Sequence, residues 1–225
     1  MRINKYLALH KYASRREADK LIEAGRVYVN GKKAVLGSDV AEKDSVEVKG
    51  PKKTYRYFAY NKPRGVITHS PQGEEKSIED VIPLKGVFPI GRLDKDSFGL
   101  IIMTDDGRIT DALLNPRNEH EKEYEVTVLH DLPDDFQHKM ERGVNIGDYT
   151  TKRCKVKILR NRSFLITLTE GKKHQIRRMC GAFGVSVTHL RRVRILNIGL
   201  GSLKEGAYRP IEKEELRVFL KSIGT

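Results

Sequence analysis

The chain has 225 residues, with 43 lysines and arginines against 30 acidic residues and a formal charge of +13. That length suits one or two domains, and aliphatic runs throughout a 38% hydrophobic composition argue against disorder. No apolar run approaches the roughly 18 residues of a membrane span, no signal-peptide core opens the chain, and two cysteines, Cys154 and Cys180, lack metal-ligand spacing. A soluble cytoplasmic protein is expected, with no disulfide framework, metal site or membrane partner. Walker A and GxGxxG motifs are absent, so no nucleotide cofactor is expected either.

Residues 1–48 read as one small unit. Ile3, Leu7 and Ala8 share a helical face. Ser14 opens a second helix, Glu17 completes a capping box three residues later, and Gly25 is placed to end it. Val27 to Val29 and Lys32 to Leu36 flank Asn30-Gly31, a strong hairpin signal, and a third β-like run covers 45–48. Residues 49–53 are charged and carry Gly50 and Pro51, which marks a linker with few packing contacts.

Residues 54–225 form a larger pattern. β-like runs fall at 55–60, 98–104, 124–129, 154–159, 164–169 and 186–195, and helical patterns at 77–82, 108–114, 133–142, 173–183 and 212–223. Their irregular alternation predicts an α+β fold with a mixed, mostly antiparallel sheet. Charge is concentrated here too: residues 152–194 hold thirteen basic side chains against one acidic, Glu170. Because these cations alternate with apolar residues, the segment folds and displays them, the footprint of a polyanion-binding surface. A merely solvated basic face is the plainer alternative.

Three motifs in this region carry chemistry. In Gly91-Arg92-Leu93-Asp94-Lys95-Asp96-Ser97-Phe98-Gly99-Leu100 a carboxylate precedes an apolar strand, which suits a reactive group on a loop anchored by a rigid element. Read alone, Asp94 is more simply a turn residue bonded to backbone. Glu121-Lys122-Glu123-Tyr124 opens a strand, where a lone tyrosine is usually a packing residue. The third, 171–179, includes Lys173, His174, Arg177 and Arg178 and stands beside a run containing His189, Arg191, Arg192, Arg194 and Ile195.

Residues 2–34 resemble the S4 RNA-binding domain. The resemblance implies that the second helix and following loop grip folded RNA, through Ser14, Arg15, Arg16, Lys20, Arg26, Asn30, Lys32 and Lys33; lysine and arginine suit sequence-independent phosphate contacts. The segment 91–104 is similar to the GRLDxxSxGLLLLT signature of pseudouridine synthases, 54–69 to the strand and loop preceding it in the RsuA-type branch, and 171–179 to that family's GxxHQIRRM segment. The family likeness implies isomerisation of uridine in RNA to pseudouridine. It casts Asp94 as the carboxylate nucleophile, Arg177 as its ion-pair partner, Tyr124 as the ring that stacks on the base, and Arg92 as the side chain filling the space of a flipped uridine, with Ile195 in the pocket. Lys173, Arg178, Arg191, Arg192 and Arg194 are then phosphate contacts. The reaction involves neither redox change nor hydrolysis, so no cofactor is implied. Residues 118–124 and 151–156 look most like the RluF subgroup, which implies ribosomal RNA of the large subunit (23S) as substrate and a transfer RNA as a further one, acted on by a monomer. Small-subunit RNA, or an RNA-binding assembly module without activity, are the alternatives.

Overall fold

The computed structural model describes residues 1–51 and 53–224; Lys52 of the expected linker and Thr225 lie outside the described residues. In the first unit α1 (Ile3–Leu9) and α2 (Arg15–Glu23) pack on a three-stranded sheet of β1 (Val27–Val29), β2 (Lys32–Lys33) and β3 (Val46–Val48), ordered β2-β1-β3. The capping box forms: the Glu17 N–H donates to Ser14 Oγ, and the Ser14 N–H to the Glu17 carboxylate. Such a cap contributes about 1 kcal/mol. Asn30 and Gly31 both have positive φ, 49° and 76°, as a two-residue hairpin turn of this twist demands. Ile3, Leu7, Ala18, Ile22 and Val27 fill the core, whereas Ala8 stays half-exposed.

The second unit is built on β4 (Tyr57–Lys62), β5 (Phe88–Ile90), β6 (Phe98–Thr104), β7 (Lys122–Val128), β8 (Lys155–Arg160), β9 (Ser163–Leu168), β10 (Val187–Ile195), β11 (Ile198–Gly199) and β12 (Tyr208–Pro210). They form one sheet ordered β12-β4-β6-β10-β7-β9-β8, with β5 paired to β6 and β11 to β10. Only β6 and β10 run parallel among these pairs, so the expected mixed and mostly antiparallel sheet is observed. Helices α3 (Ile78–Val81), α4 (Ile109–Leu114), α5 (Phe136–Glu141), α6 (Gln175–Gly181) and α7 (Lys213–Ser222) complete it. Strands β5, β11 and β12 escape the sequence pattern because each is two or three residues long. Two of them contain proline, which strands tolerate mainly at edges and ends.

Apolar residues divide by helix group. Phe136, Met140, Ile176 and Met179 of α5 and α6 cover Val126, Phe164 and Ile166, while Ile109, Leu113 and Phe219 of α4 and α7 cover Leu100 and Ile102. Between them one rung of the sheet runs Lys62, Gly99, Arg192, Tyr124 and Ile166 across five strands, on a single face. The next rung, Phe98, Arg191, Glu125 and Leu165, presents the opposite face. Gly99 cannot be replaced without moving the sheet: its φ is 105° and a Cβ would collide with the Arg192 backbone.

The linker is pinned, contrary to the expectation of few contacts. Arg26 Nε donates to Lys49 O at 2.7 Å and its Nη2 to Pro51 O at 3.2 Å. Lys53 pairs with Glu17 at 2.7 Å, and Arg108, bound twice to the buried Asp106 carboxylate, reaches Lys11 O at 3.3 Å. The capping box of α2 thus lies against residues 105–108, and Ser14 against Gly107.

Candidate active site

Residues 92–100 enter β6 from a loop whose backbone is held at almost every step. Thr68 Oγ1 donates to Leu93 O at 2.8 Å and accepts from Leu93 N–H at 3.0 Å. Gly65 N–H donates to Lys95 O, and Ser97 N–H to Asp94 O. Lys62 Nζ donates to Ser97 O at 2.8 Å and Pro63 O at 2.9 Å. Arg192 spans the loop from below, Nε to Leu100 O at 2.7 Å and Nη1 to Arg92 O at 3.5 Å. The Asp94 side chain, 43% exposed, is left free of this network, with His174 Nε2 at 3.7 Å its one ion-pair neighbour among the described residues.

Arg177 does not make the expected pair with Asp94. Its Nη1 donates to Val187 O at 3.0 Å and its Nη2 to Asp96 O at 3.4 Å. Tyr124 is half-buried, on the rung beside Arg192 and against the α6 core. Ile195 is 2% exposed, opposite Lys122 in the ladder and packed with Ile198 and Leu200, so it is a core residue rather than a pocket wall. Arg92 is exposed and makes no ion pair among the described residues.

Two buried or half-buried lysines that the sequence analysis did not assign lie near the site, Lys62 with Asp94 as a neighbouring charge and Lys122 with Arg192. Lys62 is fully buried, and burial pushes its ammonium down to about 8, with Asp94 the foremost charge opposing that shift. Burial, aided by the neighbouring Arg192 charge, also pushes Lys122 down to about 8. A lysine closing a largely apolar strand, as in Tyr60-Asn61-Lys62-Pro63, is the signal that marks the first. Lys62, Lys122 and Arg192 are buried or half-buried cations without a carboxylate partner among the described residues. Preoriented charge of this kind in a low-dielectric floor stabilises anions that develop above it.

Several expected RNA contacts are spent internally. Arg192 is 3% exposed and serves the loop. Arg194 pairs with Glu121 at 3.2 Å and Glu123 at 3.4 Å, Arg178 with Asp148, and Arg191 more loosely with Glu125 at 3.9 Å. Ser14 Oγ donates to Glu17 as well as accepting from it, Asn30 bonds Asp44 and Ser45, and Arg26 holds the linker. Only the Ser14–Glu17 pair is local in sequence; the other partners are brought together by the fold, 92 residues apart for Arg192 and Leu100 O. Arg15, Arg16, Lys20, Lys32, Lys33 and Lys173 are exposed and unpaired among the described residues.

The RNA pseudouridylate synthase family model matches residues 56–182, and the S4 domain model residues 1–46. The chain is 43% identical over 229 residues to the dual-specificity RNA pseudouridine synthase RluF of Salmonella typhi, a match covering 99% of this chain and 79% of that protein. It is 36% identical over 230 residues to the ribosomal large subunit pseudouridine synthase B of Bacillus subtilis (strain 168), covering 96% and 94%. A crystal structure of a pseudouridylate synthase superposes with a TM-score of 0.71 at 27% identity, over 99% of both chains. An S4 unit joined to a mixed-sheet domain with a free carboxylate over buried cations defines an RNA-modifying isomerase. The chain belongs to the RNA pseudouridylate synthase family and is an RNA pseudouridine synthase. No helix among the described residues is long and apolar enough to cross a membrane.

Proposed function

We propose that this chain converts uridine to pseudouridine in ribosomal RNA of the large subunit, with Asp94 as the nucleophile. One observation carries the assignment of the residue: the loop around Asp94 is bonded at nearly every backbone position while its carboxylate faces outward without a hydrogen bond. A carboxylate on a rigid support is preorganised for attack. The Asp94 carboxylate bonds to C1′ as the N1–C1′ bond breaks and its electron pair leaves with the uracil, the ring turns on the Tyr124 face, C5 bonds to C1′ as the Asp94–C1′ bond breaks, and the C5 proton passes to N1 by way of an acceptor in the pocket. Lys62, Lys122 and Arg192 stabilise the negative charge of the detached ring. Arg177 acts on Asp94 through the Asp96 carbonyl, as a positioning residue. Arg92, exposed at the mouth, takes the place of the flipped nucleotide.

The exposed cations of α2 and the β1–β2 hairpin supply phosphate contacts that hold the folded RNA. Large-subunit RNA is favoured by the relative of Bacillus subtilis, whose name states that target, and the RluF-like residues 118–124 and 151–156 extend the proposal to a transfer RNA. The enzyme acts as a cytoplasmic monomer, where both RNAs reside. Mapping pseudouridine by carbodiimide-dependent reverse-transcriptase stops, in cells with and without the gene, tests this reading. A stop in large-subunit RNA that disappears with the gene is expected; unchanged stops in that RNA overturn the target assignment.

A further inference from the structure

Gly107 lies between β6 and α4, and its φ is outside the positive range that favours glycine. Four glycines share such an ordinary backbone, at 107, 171, 181 and 199, so none of them is required by its own conformation. At 171, 181 and 199 a Cβ would meet nothing. At 107 it would stand 2.7 Å from Ser14 Cβ and 3.0 Å from Ser14 Oγ, well inside the roughly 3.5–4.0 Å of a carbon contact. The missing side chain therefore serves the approach of the first unit to the second.

The seam around Gly107 is built from groups held on both sides. Arg108 Nε and Nη2 each donate to the buried Asp106 carboxylate at 2.8 Å, and Tyr57 Oη donates to the same group, so the guanidinium is already fixed where its Nη1 reaches Lys11 O at 3.3 Å. Lys53 Nζ joins Glu17 Oε1 at 2.7 Å to Asp105 O at 3.3 Å. The Tyr55 ring lies under both cations, with Arg108 Cζ 4.2 Å and Lys53 Nζ 4.6 Å from its centroid. Ser14 is the N-cap of α2, and the exposed Arg15 and Arg16 come next in the chain. The seam thus fixes the direction in which α2 presents its cations.

The same seam stands at one end of β6. This strand is paired along both edges, by β4 on one side and β5 and β10 on the other, and every residue after Phe98 is buried. The Asp94 loop enters it at Phe98, and residues 105–108 leave it after Thr104. Seven residues rising about 3.3 Å each place about 20 Å of rigid strand between the two.

We propose that β6 is a fixed spacer between the RNA grip and the nucleophile, and that Gly107 is a specificity-determining residue because it seats the S4 unit at the end of that spacer. The uridine converted is then the one lying at a set distance from the phosphates held by α2. The inference rests on the proposed roles of Asp94 and of the α2 cations, and adds the rule by which one uridine is selected.

Full-length Gly107→Ala tests it beside wild type, on the folded RNA that the wild type modifies and on a stem-loop around the target too short to reach α2. Backbone amide NMR relaxation should give one tumbling time for the whole wild-type chain and separate times for the two units of the variant, with the thermal midpoint as folding control. On the folded RNA kcat/KM should fall about tenfold through KM, since a loosely tethered grip lowers the effective concentration of the target at the site, and carbodiimide-dependent stops should appear at neighbouring uridines. On the stem-loop both constants should stay those of wild type. Combining Gly107→Ala with Ser14→Gly, which removes the colliding atoms and leaves a residue tolerated as an N-cap, should restore the single tumbling time, the KM and the single stop. Lys53→Glu, an exposed change that sets like charges together at Glu17, should loosen the seam by an independent route. Separate tumbling times in the wild type, one common time in both loosened variants, no rescue by Ser14→Gly, or an unchanged target in a chain whose units tumble apart overturns the spacer. The tumbling times need no turnover, so a wild type that docks its units yet forms no pseudouridine overturns the activity instead, and the selection rule with it.

Discussion

Arg192 stands directly opposite Tyr124 in the β7–β10 ladder, yet its guanidinium leaves that strand pair and crosses beneath Gly99 to the Leu100 and Arg92 carbonyls. The crossing is possible because Gly99, its partner on the other side, has no side chain to occupy the rung. A cation in a basic segment has thereby become the support of the loop that carries Asp94. Its Nη2 remains buried without a partner, so its charge is directed into the site.

Arg192→Gln separates these two roles. Without this support the loop should misplace Asp94 and kcat should fall by about a hundredfold, the usual penalty for a reacting group moved by an ångström, while the slope of log Kd against log salt stays that of wild type. A phosphate-binding side chain behaves in the opposite way: its removal weakens binding and lowers the slope by about one. Single-turnover rates and filter binding at several salt concentrations distinguish them.

Asp94→Asn keeps size and most hydrogen-bonding capacity but removes the anion. Turnover should disappear while RNA affinity stays within about tenfold, or 1.4 kcal/mol, because the contacts proposed to hold the RNA are the exposed cations of α2 and the hairpin. Pseudouridine formed by the purified variant at the wild-type rate would leave Asp94 as a turn residue.

The depressed lysines give a pH dependence with opposite signs for stability and activity. Below about pH 8 Lys62 and Lys122 are protonated in both folded and unfolded chains, and the folded state carries the full cost of burying them. Between about 8 and the ordinary 10.5 the unfolded chain holds more protons, so their contribution to stability rises with pH across that window. Activity should fall across the same window as the floor beneath Asp94 loses charge. Lys122→Arg, which cannot discharge there, should move the alkaline limb of kcat upward. Urea midpoints and rates measured on either side of pH 8 check both halves, and a flat rate profile removes the lysines from the mechanism.

Replacing Arg15, Arg16, Lys20, Lys32 and Lys33 by alanine should reduce both affinity for folded RNA and its salt slope, by up to about one for each phosphate no longer neutralised. The same treatment of Arg26, Asn30 and Ser14 should change thermal stability instead, since their side chains hold the linker, the hairpin turn and the α2 cap. Equal salt slopes for wild type and the five-site variant would place RNA binding elsewhere.

Local rules written into the chain determined much of this protein: the α2 capping box, the Asn30-Gly31 turn, the strand 98–104 and the α+β class all follow from spacing within a few residues. The carrier of the carboxylate was also legible, because a loop ahead of an apolar strand is a local pattern. Tertiary structure alone decided which cations face solvent and which face inward. That choice depends on the partner a side chain meets across the sheet, and a ladder's register joins residues far apart in sequence. So Arg192 is buried under Leu100, Arg177 turns to the Asp96 carbonyl, and Lys62, marked in sequence only as a lysine at a strand's end, becomes a buried cation near Asp94. Composition fixes how many charges a chain carries, but burial and hydrogen-bond geometry assign each one its work.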